Sequence, residues 1–326
     1  MKTKIFISLM VSGLVLMMSC QKDVDRFTPN GTPVGVDTNW VSIISSSSPI
    51  SELRVSLDKH NILDSIDCSI GGSIVTPEGL SIFISPASFL LSNGLPANGK
   101  LYSESLLIKQ RGDMILVDKP TTSNGRILIS GGEVFLKFRK ESEEVHLAPG
   151  KRVYLKYADP APSPLMRVFM GDESNPERFN WVPVSDSFNL VGIGNPNSPA
   201  YEFATSNLRW VNCDRFADTS GQRVSVVASL PIDYTNANTA VYLVFHDINS
   251  MLGMYGDQTT KKFASPKVPV GRSVVVVSIS KKGPNSYYLG HQSVTTALTG
   301  TVASQVVPLS PQPTSLSDIR AYLATL

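Results

Sequence analysis

Few side chains in this sequence stand at spacings that chemistry requires. The four histidines, His60, His146, His246 and His291, are scattered along the chain, and none belongs to a His-Glu-x-x-His or other metal-ligand pattern. His246-Asp247 follows the apolar run 242–245, where an imidazole and a carboxylate at a strand end could bind a metal or move a proton; a surface loop is the plainer reading. Asp113, Asp118 and Asn124 could supply oxygen ligands to calcium if their loops converged, but these residue types are more often turn formers. The most site-like cluster is Trp210, Asp214, Arg215 and Phe216. Aromatic and charged side chains together can form a sugar- or peptide-binding surface, or else an ion pair and core aromatics that lock two β units together. No Gly-x-Ser-x-Gly elbow occurs, and Gly192-x-Gly194 lacks the third glycine of a dinucleotide loop. With 27 acidic residues, no particular pair can be nominated for glycoside hydrolysis. The residues therefore assign no catalytic group, no metal and no cofactor.

The start of the chain carries an address. Lys2 and Lys4 precede an apolar stretch over residues 5–18, shorter than the roughly 20 residues a membrane span needs. Ser19-Cys20 follows, a small residue before a cysteine. This resembles the cleavage box of bacterial lipoproteins, which implies that Cys20 becomes an acylated N-terminus and anchors the chain to a membrane. The next residues, Gln21, Lys22, Asp23 and Asp25, with Val24 between the acids, resemble the tether signal that sends Bacteroidetes lipoproteins to the outer face of the outer membrane. Loss of the signal segment removes two of the 29 basic residues, which leaves them balanced against 27 acidic ones. A neutral chain has no basic footprint for nucleic acid. Of three cysteines, Cys68 and Cys213 remain. They either form one disulfide in an oxidising envelope or stay as two buried thiols, and their strand-like surroundings favour thiols.

The rest reads as β structure: 42% apolar and 17% charged residues, with Gly and Pro at short intervals. Residues 20–48 form a polar tether after a signal peptide over 1–19. Residues 49–157 then show short apolar runs separated by turns, including alternating strands at 52–57 and 153–157 and a strand at 114–117, the pattern of a β-sandwich. Residues 158–199, opening with Asp-Pro-Ala-Pro-Ser-Pro, read as a linker or bridge. Residues 200–312 read as a second sandwich, whose run 272–280 is a central strand buried on both faces. Residues 313–326 close the chain with a helix, capped by Ser315 or Ser317, that places Leu316, Ile319, Tyr322, Leu323 and Leu326 on one face. The fold class is all-β: two sandwiches in tandem and a C-terminal helix.

One stretch, residues 112–138, sets the first unit apart. Gly71-Gly72, the corner Ile84-Ser85-Pro86-Ala87-Ser88-Phe89, Gly112-Asp113-Met114, Pro120-Thr121-Thr122-Ser123-Asn124-Gly125 and Ser130-Gly131-Gly132-Glu133 together resemble the ZU-type β-sandwich of zonula occludens proteins, netrin receptors and ankyrins, in the form found in Bacteroidetes surface lipoproteins. In eukaryotic members that sandwich is a protein-interaction module, which implies a binding or scaffold role here. Some members carry a self-cleaving His-Phe-Ser segment, and this sequence has none. The residues themselves suggest a fold determinant: Pro120 presets a turn, Gly125 takes positive φ, and Gly131-Gly132 allows a bulge or a close strand crossing. Thr121, Thr122 and Ser123 would bond local backbone groups. Three functions follow from this reading: a non-enzymatic, surface-anchored protein-interaction module; a glycan-binding accessory protein of a polysaccharide-uptake system, which would display Trp40, Trp181 and Tyr255 as open platforms; or a hydrolase. The first is the leading expectation.

Overall fold

In a computed structural model, residues 38–175, 178–185, 190–299 and 303–326 are described. The signal segment, Cys20 and the tether residues Gln21, Lys22, Asp23 and Asp25 lie outside them. The architecture is all-β, with three short helices among the described residues.

Among the described residues, three large sheets and the two-stranded pair Phe89–Leu90 with His146–Leu147 surround three apolar cores. The central sheet runs Ile62–Asp67, Lys100–Ile108, Arg126–Lys140, Arg209–Phe216, Arg167–Asp172 and Asn180–Pro183, with each neighbouring pair antiparallel. A five-stranded sheet covers one of its faces: Gly192–Asn195, Ser198–Thr205, Val153–Ala158, Ser81–Ile84 and Gly72–Val75. Between them Leu136, Phe138, Val211 and Cys213 meet Ile82, Leu155, Tyr157 and Phe203. The third sheet has eight strands, all from residues 223–314, with Thr239–Phe245 and Ser273–Gly283 at its middle. Its alternate residues serve two cores. Tyr242, Val244, Val275 and Val277 face the central sheet. Val241, Leu243, Val274 and Val276 form a core with Val224, Val226 and Val307 of the same sheet, so the sheet curls over its own apolar face. Val274–Val277 are all buried, as expected of a strand covered on both sides.

The sequence-based boundary at residue 200 does not match these pairings. Ser198–Thr205 pairs with Val153–Ala158, and Arg209–Phe216 pairs with Arg126–Lys140. Both segments belong to the first sandwich, as do the strands at 167–172 and 180–183 in the expected linker. Residues Thr38–Leu326 form one compact unit.

Two expected strands are helices. Leu53 and Leu57 fit a period of two as well as a helical period, so Ile50 and Val55 decide between them. Ile50, Leu53 and Leu57 are buried, whereas Val55 is 79% exposed. Ser48 caps the helix Pro49–Leu57, its hydroxyl accepting from the Ser51 N–H, and Pro49 occupies the first turn. Residues 111–116 form a single helical stretch, Arg111–Leu116, with Met114, Ile115 and Leu116 all buried. Gly112 lets it meet the C-terminal helix Leu316–Leu323: a Cβ there would lie 1.8 Å from the Leu323 carbonyl oxygen. Ser315 caps that last helix and Ile319 and Leu323 bury its inner face, as the sequence indicated.

The Gly131-Gly132 pair forms the bulge, one of the two alternatives expected, and leaves room for two tyrosines of the facing sheet. Cys213 faces Gly132 and Asp214 faces Ser130, so Gly131 is an extra residue, a bulge in the long strand. A Cβ on Gly131 would lie 2.7 Å from the Tyr201 ring, and one on Gly132, at φ 146°, 2.9 Å from the Tyr157 hydroxyl. Asn124 and Gly125 form the two-residue hairpin loop between Ser123 and Arg126, both at positive φ.

Candidate functional site

The turn at 120–125 is a clasp between sheets. Thr121 is buried and 130 residues from its partners. Its N–H donates to the Met251 carbonyl (2.8 Å), its hydroxyl accepts from the Met251 N–H (2.9 Å), and it pairs with the Ser250 hydroxyl (2.8 Å). The local bonding expected of Thr121 is thus replaced by contacts to the third sheet. Beside it the Asn249 side chain donates to the carbonyls of Lys109 (3.0 Å) and Ser130 (2.9 Å). This clasp and the apolar layer beneath it bring the central and third sheets together along a seam.

A groove opens along that seam in two lobes. The first, about 420 Å³, is lined by Arg54, Asp118, Tyr242, Tyr255, Asn236, Val41, Ser42 and Ile44, among others. The second, about 440 Å³, is lined by Thr122, Asn180, Gly256, Ala264 and Pro266 among others. Arg178, Phe179, Tyr255, Gly256 and Asp257 line both. The Arg178 guanidinium sits over the Tyr255 ring, 4.7 Å from its centre, and spans the groove between the lobes.

The floor of the first lobe is a bonded triad. Asp118 follows the helix Arg111–Leu116 in the left-handed region, at φ 52°. Such residues commonly terminate helices, and here the conformation carries the carboxylate into the groove. Arg54, in the last turn of its helix, pairs with Asp118 at 3.0 Å, and the Tyr242 hydroxyl donates to Asp118 at 2.7 Å. Burial, followed by the charge of Asp118, pushes the Tyr242 and Tyr255 phenols above their ordinary range. Both phenols therefore stay protonated, and the Tyr242 hydroxyl is the donor to Asp118. Arg54 and Asp118 match each other's charge, and the exposed charges lining the groove are the Arg178 guanidinium and the Asp257 carboxylate.

Beneath the groove, Trp210, Asp214 and Phe216 are buried or half-buried between the sheets and Arg215, half-buried, points to the other face of the strand, so the four make no open surface. Trp210 is 8% exposed and Asp214 is fully buried. Trp210 packs on Phe135 (5.2 Å between centroids) and under the Lys119 ammonium (5.2 Å), which also lies over Phe179 (4.4 Å). Asp214 accepts from the Asn212 amide at 2.7 Å. As neighbours on a strand, Asp214 and Arg215 project to opposite faces and make no ion pair. Phe216 packs on Phe169 and receives the Arg126 guanidinium over its ring at 3.5 Å. Glu133, opposite Asn212 across the ladder, is also fully buried. Burial drives the Glu133 and Asp214 carboxyls well above the usual carboxylate range, and the charge of Asp214 raises Glu133 further. Burial also lowers the Lys119 ammonium.

The other candidates are dispersed. Asp113 pairs with Lys59 at 2.7 Å, Asp118 with Arg54, and Asn124 with Asn180, so each of the three suggested calcium ligands has a different partner. His246 is exposed and Asp247 pairs with Arg272 at 2.7 Å. His291 stacks on Tyr322. Among the described residues no group of three His, Cys, Asp or Glu is placed to hold a metal. Cys68 and Cys213 are free and buried. Of the three proposed glycan platforms, Trp181 is fully buried, Trp40 is half-buried against Phe263, and Tyr255 is half-buried in the groove. Sequence reasoning singled out Asp118 and Tyr255 for other roles and passed over Arg54, Arg178 and Tyr242. Their one shared signal is polar or charged character beside apolar runs, which many surface residues also show.

No protein-family model and no curated protein matches the chain. A solved structure, the γ-CGTase of an alkalophilic Bacillus clarkii, aligns with 77% of this chain and 41% of its own at 9% identity and a TM-score of 0.20.

Proposed function

We propose that this chain is a non-enzymatic, lipid-anchored binding protein that acts as a protein-interaction or scaffold module and holds its partner in the seam groove. The observation that carries the reading is the groove itself: two lobes that share a wall at Arg178, Phe179 and Tyr255, and a floor whose acid is already bonded to Arg54 and Tyr242. An acid committed to two partners suits recognition better than proton transfer. The anchor is the acylated Cys20, and Gln21, Lys22, Asp23 and Asp25 direct the chain to the outer membrane, facing the exterior. The ZU-like pattern at 71–133 supports a protein partner, as does the interior placement of Trp181 and Trp210. No helix among the described residues is long and apolar enough to cross a membrane.

Peptide and glycan arrays probed with the fragment 38–326, alongside Arg178→Ala and Tyr255→Ala, test the partner class. Binding to peptide spots that both variants abolish is the expected result. Retention of glycan spots that depend on Tyr255 would move the assignment to a glycan-binding accessory protein. Metabolic labelling with a palmitate analogue should mark the wild type and not Cys20→Ser. Protease added to intact cells should digest the protein, and survival until permeabilisation would refute outward display.

A further inference from the structure

One wall of the first lobe is itself a length of this chain, Val41, Ser42 and Ile44. Residues Trp40–Ile44 precede the first helix and belong to no strand or helix. Val41 is held through its backbone in both directions: its N–H donates to Asn236 Oδ1 at 3.0 Å, and the Asn236 amide donates to its carbonyl at 2.7 Å. One side-chain amide thus reads a backbone as a neighbouring strand would, without regard to the side chain carried. The adjoining Trp40 is the anchor. Its ring packs on Phe263, 4.9 Å between centroids, and fills the place of a missing side chain at Gly256, where a Cβ would lie 2.6 Å from the ring. The slot exists because the sheet forks there. The strand Met251–Asp257 pairs with Thr239–Phe245 only as far as Met254 opposite Val241, and from Tyr255 onward it pairs with Lys262–Pro269. Thr239, Ala240, Tyr255 and Gly256 line the lobe at the fork.

We infer that the groove is a receptor for an extended polypeptide segment bearing an aromatic anchor, and that Trp40–Ile44 is its resident occupant, which an incoming partner segment replaces. This deepens the protein-binding reading and rests on it for the partner, although the slot can be tested alone. Recognition combines a backbone clamp at Asn236, an aromatic slot at Gly256 and Phe263, and continuation over Tyr255 into the second lobe. This follows the general logic of strand addition, in which backbone bonds hold the segment and a pocket selects a side chain.

The test uses the full chain with Trp40→Ala and a fluorescent peptide of residues 38–44, Thr-Asn-Trp-Val-Ser-Ile-Ile. The variant should bind the peptide about tenfold or more tightly than the wild type, whose covalently linked strap competes at an effective concentration of order millimolar. Replacing the peptide's tryptophan by alanine, or adding Gly256→Val to the protein, should abolish binding. A folded Trp40→Ala protein that ignores the peptide, or binds the alanine peptide equally well, overturns the inference. Displacement of the peptide by a soluble hexasaccharide at millimolar concentration overturns the polypeptide assignment. As a second measurement, a protease site placed at Ser46-Ser47 in the otherwise unchanged full chain should, once cut, let the labelled peptide exchange for the severed segment. Failure of the peptide to enter overturns the inference whether or not Trp40→Ala folds. Peptide exchange combined with blank arrays would leave the slot standing and remove the external partner.

Discussion

At the scale of single residues, the clearest consequence lies with Glu133 and Asp214. Both are fully buried with carboxyls raised by burial. Below the ordinary carboxyl range, near pH 4, folded and unfolded chains hold the same protons at these sites. As the pH rises past that range, the unfolded chain releases protons that the folded chain keeps, so stability falls with rising pH until the folded groups ionise. Glu133→Gln keeps the shape and removes the titration. Thermal melts of the two proteins should coincide near pH 4, and the variant should melt higher at pH 8, by an amount corresponding to about 1–3 kcal/mol. Parallel curves over that range would show that Glu133 does not titrate this way. Asp118 is a surface-accessible group with a partner. Its pair with Arg54 is about one-third exposed on each side, so Asp118→Asn should cost only about 1 kcal/mol. The same change should weaken ligand binding in the groove more than it lowers stability, and a variant that binds as well as wild type would remove the triad from the site.

At the scale of elements, the helix pair at Gly112 and the hairpin at Gly125 separate two reasons for glycine. A Cβ on Gly112 collides with the Leu323 backbone, whereas at Gly125, with φ 76°, nothing lies within 4 Å. Gly112→Ala should therefore force two helices apart and destabilise by about 1–3 kcal/mol or more, while Gly125→Ala meets only conformational strain of about 1 kcal/mol. Denaturant titration would measure both, and equal losses would mean that the close approach of the helices contributes nothing. The legibility of elements follows the same physics. The C-terminal helix was readable because Ser315, Ile319 and Leu323 agree with one period. The helix Pro49–Leu57 was misread because Leu53 and Leu57 satisfy two periods, and only burial of Ile50 against exposure of Val55 chooses between them. The stretch 114–117 was misread because a short run that is buried all round has no period to read.

At the scale of the whole molecule, the central sheet contributes to a core on each side. Leu136 and Val211 face the five-stranded sheet. Phe135 and Trp210 face the third sheet. The third sheet thus has no private core for its inner face, and heating should produce one cooperative transition rather than two. Two separable calorimetric peaks would contradict the shared core. Thr121→Val tests the clasp. It preserves volume and strands the Met251 N–H, and should lower stability by about 1–3 kcal/mol. A loss near zero would assign the seam to apolar packing alone.

By itself the sequence determined the all-β class, the turn chemistry of Asn124-Gly125, a backbone irregularity at Gly131-Gly132, the doubly buried strand around Val274–Val277 and the capped final helix. Each depends on residues near one another in the chain, where period, capping and positive φ act locally. Only the tertiary structure decided that residues 198–216 complete the first sandwich, that Thr121 bonds a sheet 130 residues away, and that Arg54, Asp118, Tyr242 and Tyr255 share a groove. Strand pairing and side-chain bonds across the seam depend on which faces meet. That is set by the sum of many weak apolar contacts over the whole chain and leaves no pattern in any short stretch of it.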